Sequence, residues 1–301
     1  MLQNPLKGIA LKLGSVVVFI TMASLIKAAG VPAGQAVFFR SFFAIPVIVA
    51  WLMLRGELAT GFAVVNPWGH GLRGIMGSTA MGLGFAGLLY LPLPDATALG
   101  YAAPLLTVVF AALILGEKVR LFRYSMVGLG LCGVLIVLWP NLGHAASAGA
   151  ALGAVLVLVG AVFSALAQIT IRRLVQVEKT AAIVFYFSVT STTLSLASLP
   201  FGWVMPNPAQ AAMLVCAGLL GGLGQILLTS SYRWADASVV APFEYASILF
   251  ALGIGYFVFT EVPSGAMLAG AALVVLAGVL IIWRERRLGL ERAKGKGAGT
   301  F

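Results

Sequence analysis

The chain has 301 residues, of which 61% are hydrophobic and only 9% charged, with a formal net charge of +10 and a mean hydropathy of +1.04. Soluble domains carry roughly 25% charged and about 45–50% apolar residues. The composition therefore excludes a soluble globular protein and leaves a polytopic membrane protein with little chain to spare for an extramembrane domain.

A membrane span needs about 20 predominantly apolar residues, and helices satisfy their backbone internally in lipid. Cutting the chain at charged and Pro/Gly-rich joints predicts ten helices, at 8–30, 34–54, 70–91, 95–115, 122–139, 149–171, 180–201, 208–232, 237–259 and 263–283. The first run is too long for a signal-peptide core and is expected to be a retained span. With the N-terminus inside and the spans alternating, all but Lys27 and Arg40 of the 19 Lys and Arg residues fall on the inner side, Lys12 and Arg73 among them. That asymmetry predicts cytoplasmic N- and C-termini, and a bacterial inner membrane is the expected location. The basic tail RERRLGLERAKGKGAGTF is expected to be a partly disordered anchor beside anionic headgroups, with no nucleic-acid role. Cys132 and Cys216 lie inside apolar runs and are expected to be buried small residues. His70 and His144 sit near segment ends, so no metal-ligand spacing exists and no cofactor is expected.

Several short matches recur in the same order in the two halves. VFITMASLI (Val18 to Ile26) resembles VFSALAQIT (Val162 to Thr170), GLGF at Gly82 matches GLGQ at Gly222, and Asp95-Ala96 matches Asp236-Ala237. Glu117 matches Glu261, and GVLIVLW (Gly133 to Trp139) resembles GVLIIW (Gly278 to Trp283). The pattern predicts a duplication, with a first repeat at 1–140, a second at 149–285 and a basic tail at 286–301. Five spans per repeat would insert the halves in opposite orientations, a plan that recurs in secondary transporters with the site near the midplane.

The stretch GLGQILLTSSYRWADASVVAPFEYASILFALGIGYFVFTE (Gly222 to Glu261), the first-half segment ending LILGE at Glu117, and the closing helices GLGLCGVLIVLW and LAGAALVVLAGVLIIW resemble the drug/metabolite transporter superfamily, EamA family. The resemblance covers about residues 8–285. It implies an all-α membrane protein of ten helices, inward termini, no ATPase or other enzymatic activity, and export of amino acids, metabolites or drugs. Within the family the chain is similar to the YddG-type aromatic amino-acid exporters. Glu117 and Glu261 occupy the family's segment-end glutamate positions and are expected to hold helix ends or loops.

Candidate substrate ligands are polar and aromatic residues at mid-depth in repeat-related spans. Thr21 and Ser24 lie on the first span, with Ser164 and Gln168 on the sixth. Met81 and Phe85 lie on the third, with Gln225 on the eighth. Tyr101 lies on the fourth, with Glu244 and Tyr245 on the ninth. The tyrosines offer a flat body with a hydroxyl. Glu244 suits a substrate ammonium group or a proton, or else a structural pair with a hydroxyl or Arg40. Pro104 and Pro242 free backbone carbonyls in corresponding segments and are candidate hinges. The alternatives for the Ser and Gln residues are interhelical hydrogen bonds, and Gly74, Ser78, Gly82, Gly218 and Gly222 read first as packing seams. Arg40 and Lys27 either hold a carboxylate near the outer mouth or snorkel to the interface.

Together these features predict a secondary transporter, monomer or homodimer, that exports small amphipathic metabolites by alternating access around a central cavity. Amino acids, aromatic ones included, are the first choice of substrate. Multidrug or nucleoside export is the alternative within the superfamily. A membrane-embedded enzyme would need a His or Cys set that the sequence lacks, and a scaffold gives no reason for duplicated proline breaks. Sugar-phosphate transport would require Lys or Arg at mid-depth in several spans, whereas the cations here are expected outside the core.

Overall fold

The computed structural model describes residues 5–115, 121–142, 148–174, 176–234 and 241–297, and those residues form helices joined by short turns. The elements are α1 (Pro5–Ala29), α2 (Ala33–Phe42), α3 (Ala44–Leu54), the single turn α4 (Leu58–Gly61), α5 (Pro67–Leu88), α6 (Leu93–Gly100) and α7 (Ala102–Leu115). They continue as α8 (Leu121–Leu142), α9 (Ala148–Leu174), α10 (Thr180–Leu196), α11 (Pro208–Trp234), a 3-10 turn (Ala241–Ala246), α12 (Ser247–Phe259) and α13 (Gly265–Gly297).

Among the described residues, six runs are long and apolar enough to cross a membrane: Leu6–Ala29, Ala33–Leu54, Leu93–Ile114, Gly149–Ile171, Pro208–Ser231 and Gly265–Arg284. Tyr124–Pro140, Thr180–Leu196 and Phe243–Phe259 are apolar but shorter. Helix α5 is the exception. It has 22 residues, yet its sequence carries seven glycines together with His70 and Arg73, and it is not among these runs.

Two of the predicted helices are broken where proline removes a backbone donor. Pro46 cannot bond the carbonyl of Phe42, and the run 33–54 divides at Phe43. Pro104 cannot bond the carbonyl of Gly100, and the run 93–115 divides at Tyr101, whose N–H turns back to Ala98 and Leu99. Pro242 sits in the 3-10 turn that precedes α12. Helix α5 starts cleanly because Pro67 occupies its first turn and the Asn66 side chain accepts from Gly69 N–H at 2.9 Å. The tail departs from expectation: α13 continues past Trp283 to Gly297, because Glu, Arg, Leu, Ala and Lys are all strong helix formers. The predicted helix 180–201 ends sooner, at Leu196.

The most extensive helix pairings are α1 with α11, α5 with α9, and α8 with α13, followed by α10 against α2 and α5, and α7 against α9. The core runs through Ile26, Val31, Leu91, Leu99, Leu105, Val137, Leu214, Met267 and Val274. Glycines set the closest approaches. A Cβ at Gly133 would stand 2.7 Å from the carbonyl oxygen of Gly270, and one at Gly270 would stand 2.5 Å from that of Gly133. Of the predicted seams, Gly74 receives Thr190, Gly218 faces the Phe39 carbonyl, Gly222 faces Ala44, and Ser78 meets Ser191 with the two Oγ atoms 2.6 Å apart. Gly82 is not a seam, since its nearest neighbour is Val37 Cγ2 at 3.9 Å. The two cysteines are free and exposed rather than buried: each lies in an apolar run, but on a face that no other described helix covers.

Gly270→Ala is expected to lower stability by about 1–3 kcal/mol, because the added methyl meets backbone that cannot give way. Gly253→Ala, where a Cβ meets nothing within 4 Å, is expected to leave stability unchanged or slightly raised. Thermal unfolding in detergent, followed by tryptophan fluorescence, compares the two.

Candidate functional site

The breaks at Tyr101 and at the 3-10 turn bring two tyrosines into contact. Their rings lie 5.1 Å apart, edge to face. Ser247 Oγ donates to the Glu244 carbonyl at 2.8 Å and lies 2.6 Å from the Tyr101 hydroxyl, which also reaches the Tyr245 carbonyl at 3.3 Å. The Tyr245 hydroxyl lies over Gly278 of α13, where any Cβ would overlap it. Both tyrosines are buried, and in this conformation each ring packs on the other.

Glu244, next to Tyr245 on the same turn, is ion-paired to Lys12 of α1. The Lys12 side chain is 2% exposed and that of Glu244 is 48% exposed. The sequence reading placed Lys12 among the inner-side cations and offered Arg40 or a hydroxyl as Glu244's structural partner. The contact joins residues 232 positions apart, and the one local signal for it is a lysine inside an otherwise apolar run.

The other candidates fall on two helix pairs. Thr21 and Ser24 of α1 donate to the carbonyls one turn back, Val17 and Ile20, each at 2.8 Å. Gln225 stands half-buried on α11, the partner of α1. On the second pair, Phe85 is buried in the core and Met81 packs against it from α5, while Ser164 is half-buried and Gln168 exposed on α9. Pro104 is half-buried near the start of α7. Glu117 and Asp236 lie outside the described residues.

Polar contacts tie the helices together at both ends of α5. At its C-terminal end, Lys27 lies 2.7 Å from Glu261 and also bonds the Leu91 carbonyl, while Glu261 accepts from Leu93 N–H at 2.8 Å. Thr260, the one described non-glycine residue with positive φ (54°), ends α12 so that Glu261 can turn back to these partners. Lys27 therefore does not snorkel, because its carboxylate partner is inside. Nearby, Gln35 exchanges hydrogen bonds with the backbone of Val204 at 2.8 and 3.2 Å. At the N-terminal end of α5, about 33 Å away by helix rise, Glu178 accepts from Asn66 N–H at 2.6 Å and Val65 N–H at 2.8 Å, and lies 3.3 Å from His70 Nε2. Tyr186 donates to the Phe62 carbonyl at 3.0 Å and Lys179 to Thr60 at 2.8 Å.

Sequence reasoning did not bring together Arg40, read as a carboxylate holder near the outer mouth or a snorkelling cation, and Arg73, read as an inner-side cation. Arg40 of α2 and Arg73 of α5 are 3% and 8% exposed. Both lie against the Phe187 ring of α10, with guanidinium carbons 5.4 and 4.0 Å from its centroid. The expectation that cations avoid the core, and the argument against phosphate-bearing substrates built on it, fail here. Counting charges by loop cannot tell which face of a helix a residue occupies.

The sequence profile of the EamA-like transporter family matches residues 6–139 and again residues 151–283. The chain belongs to the EamA-like transporter family. It is 31% identical over 279 residues to the pseudopaline exporter CntI of Pseudomonas aeruginosa (strain UCBPP-PA14), covering 91% of this chain and 95% of that protein. It is 26% identical over 253 residues to an S-adenosylmethionine uptake transporter of Rickettsia bellii (strain RML369-C), covering 84% of each. A solved crystal structure shares the fold, with a TM-score of 0.67 at 21% identity over 93% of this chain and 98% of that one. The EamA-like family is one of transporters, so a membrane-embedded enzyme drops out as a reading.

In this EamA-like chain the Glu178 contacts carry a pH dependence. Burial pushes the carboxyl up, but the N–H groups of Asn66 and Val65 and the neighbouring His70 pull it down and prevail, so it titrates below the usual carboxylate range. Its folded value lies below its unfolded value. The stabilisation is therefore complete above the ordinary carboxylate range and is lost as pH falls through the folded value. Glu178→Gln is expected to lower the melting temperature at neutral pH and to flatten its fall between about pH 5 and pH 3, as read by thermal unfolding across that range.

Proposed function

We propose that the chain is a secondary transporter that exports small amphipathic metabolites, amino acids and aromatic ones among them, across a bacterial inner membrane by alternating access. Its crossings are read as ten, in two five-helix repeats of opposite orientation at 1–140 and 149–285, with a basic tail at 286–301 and both termini cytoplasmic. The observation that carries this reading is the double family match together with reciprocal packing: the first-half helix α1 packs on second-half α11 as second-half α9 packs on first-half α5. Tyr101 and Tyr245, 144 positions apart, meet between the halves. The likeness to an exporter over 95% of that protein's length favours outward transport.

Both sets of end contacts join one half to the other, Lys27 with Glu261 at one end and Asn66 with Glu178 at the other. Opening either end requires breaking one set while the other holds, which is the requirement of alternating access. Between them, Glu244, half exposed beside Lys12, is placed to exchange its lysine for a substrate ammonium group. Gln168, exposed on α9, offers its amide from the neighbouring helix pair.

Flux of labelled phenylalanine, leucine and glutamine in proteoliposomes tests the reading. Saturable flux is expected, reduced at least tenfold by Glu244→Gln and severalfold by Gln168→Ala. Flux that survives both substitutions moves the site elsewhere, and folded protein that carries no panel member contradicts amino-acid export.

A further inference from the structure

We propose that Arg40 and Arg73 form an oxyanion subsite at the middle of the membrane that takes the carboxylate of the transported metabolite. The inference rests on the transporter reading above and names the substrate class: an acid rather than a neutral or purely cationic compound. Both side chains are more than nine-tenths buried. In each, Nε and Nη1 are sealed from solvent without a hydrogen-bond acceptor. Among the described residues no carboxylate lies within ion-pair distance of either guanidinium: the four ion pairs are Lys12 with Glu244, Lys27 with Glu261, Arg55 with Glu57 and His70 with Glu178. Two more buried donors without partners lie beside them in the chain, Ser41 after Arg40 on α2 and Ser188 after Phe187 on α10, and α2 packs on α10.

The fold makes room for both cations. A Cβ at Gly77, the midpoint of α5, would overlap Arg73 Nη1, and one at Gly221 of α11 would stand 3.1 Å from Arg40 Nε. Each arginine thus lies along a glycine floor that holds it in the bundle and away from the interface. Phe187 covers one face of each guanidinium and offers cation–π attraction, but a ring face accepts no in-plane N–H bond. Two like charges on one aromatic ring repel, and burial strengthens the repulsion. An anion received by both relieves the repulsion and supplies the missing acceptors. The planar fork of arginine matches a carboxylate with two parallel hydrogen bonds. With the apolar walls of Phe187 and Met22 alongside, a single carboxylate on an amphipathic molecule fits better than a phosphate, which has more hydration to strip.

Purified full-length protein in low-salt detergent buffer is titrated with phenylalanine, phenylalaninamide, phenethylamine and inorganic phosphate, and the melting temperature is followed. Phenylalanine is expected to stabilise with saturation. Phenylalaninamide and phenethylamine are expected to need at least tenfold higher concentrations. Arg40→Gln and Arg73→Gln are each expected to raise the half-saturation for phenylalanine at least tenfold. Arg40→Lys and Arg73→Lys, which keep the charge and lose the fork, provide the reading if a glutamine variant fails to fold, and are expected to weaken phenylalanine binding severalfold. Equal half-saturation for the acid and its amide overturns the proposal, as does undiminished affinity in all folded variants, or no saturable effect of phenylalanine. Saturation by phosphate alone overturns the carboxylate assignment. Liposomes that carry phenethylamine and phenylalanine equally would keep the transporter and sink the subsite. Acid-selective binding without flux would do the reverse.

Discussion

A cation placed in an apolar bundle must find an anion or bear a large desolvation cost, and this constraint orders the molecule. Among the described residues, four cations enter the interior of the bundle: Lys12, Lys27, Arg40 and Arg73. Lys27 meets Glu261 and Lys12 meets Glu244, so each pair fastens α1 to a segment more than 200 positions away in the chain. Arg40 and Arg73 both lie against the Phe187 ring, and among the described residues neither has a carboxylate partner. The paired cations connect the two halves, and Arg40 and Arg73 leave a positive charge that no described carboxylate neutralises. A scaffold has no use for such a charge, whereas a transporter can neutralise it with cargo.

Much of the architecture was legible in the sequence because lipid permits so few solutions. Long apolar runs with no internal alternative for their backbone must be helices, and nearly all of the predicted ones are present. The helix break at Tyr101 followed from Pro104. The break at Phe43 follows from Pro46 in the same way, and that proline was overlooked because it has no counterpart in the second half. Glu261 was expected to hold a helix end, and it binds both Lys27 and the start of α6. The glycine seams were read correctly at Gly74, Gly218 and Gly222. At Gly82 a Cβ would meet only Val37 Cγ2, at 3.9 Å, so a side chain would fit there, which spacing alone cannot show.

The candidate site was less legible, for a geometric reason. Loop-by-loop charge counting assigns a residue to a side of the membrane from its distance along the chain. Arg73 is six residues into α5, so the count placed it at the inner interface, yet its side chain extends along the helix to Gly77 at mid-depth. Arg40 was assigned to the outer interface, yet it faces α11 and α10 instead of lipid. The glycines that admit both arginines were visible, but a glycine reads equally as a seam between helices or as a floor beneath a side chain until the neighbours are known. Glu244 was singled out for its cost in an apolar span, but its partner, 232 positions distant, could not be read.

The central claim is that the two ends of the bundle open in turn. With Cys132 and Cys216 replaced by serine, spin labels at Ala28 and Val262, both exposed beside the Lys27–Glu261 contact, report that end directly by pulsed electron paramagnetic resonance in nanodiscs. The account predicts two distances in exchange, a short one with the contact made and a long one with it broken. It also predicts that Lys27→Met shifts the population to the long distance. A single short distance, unchanged by Lys27→Met and by added substrate, would contradict it.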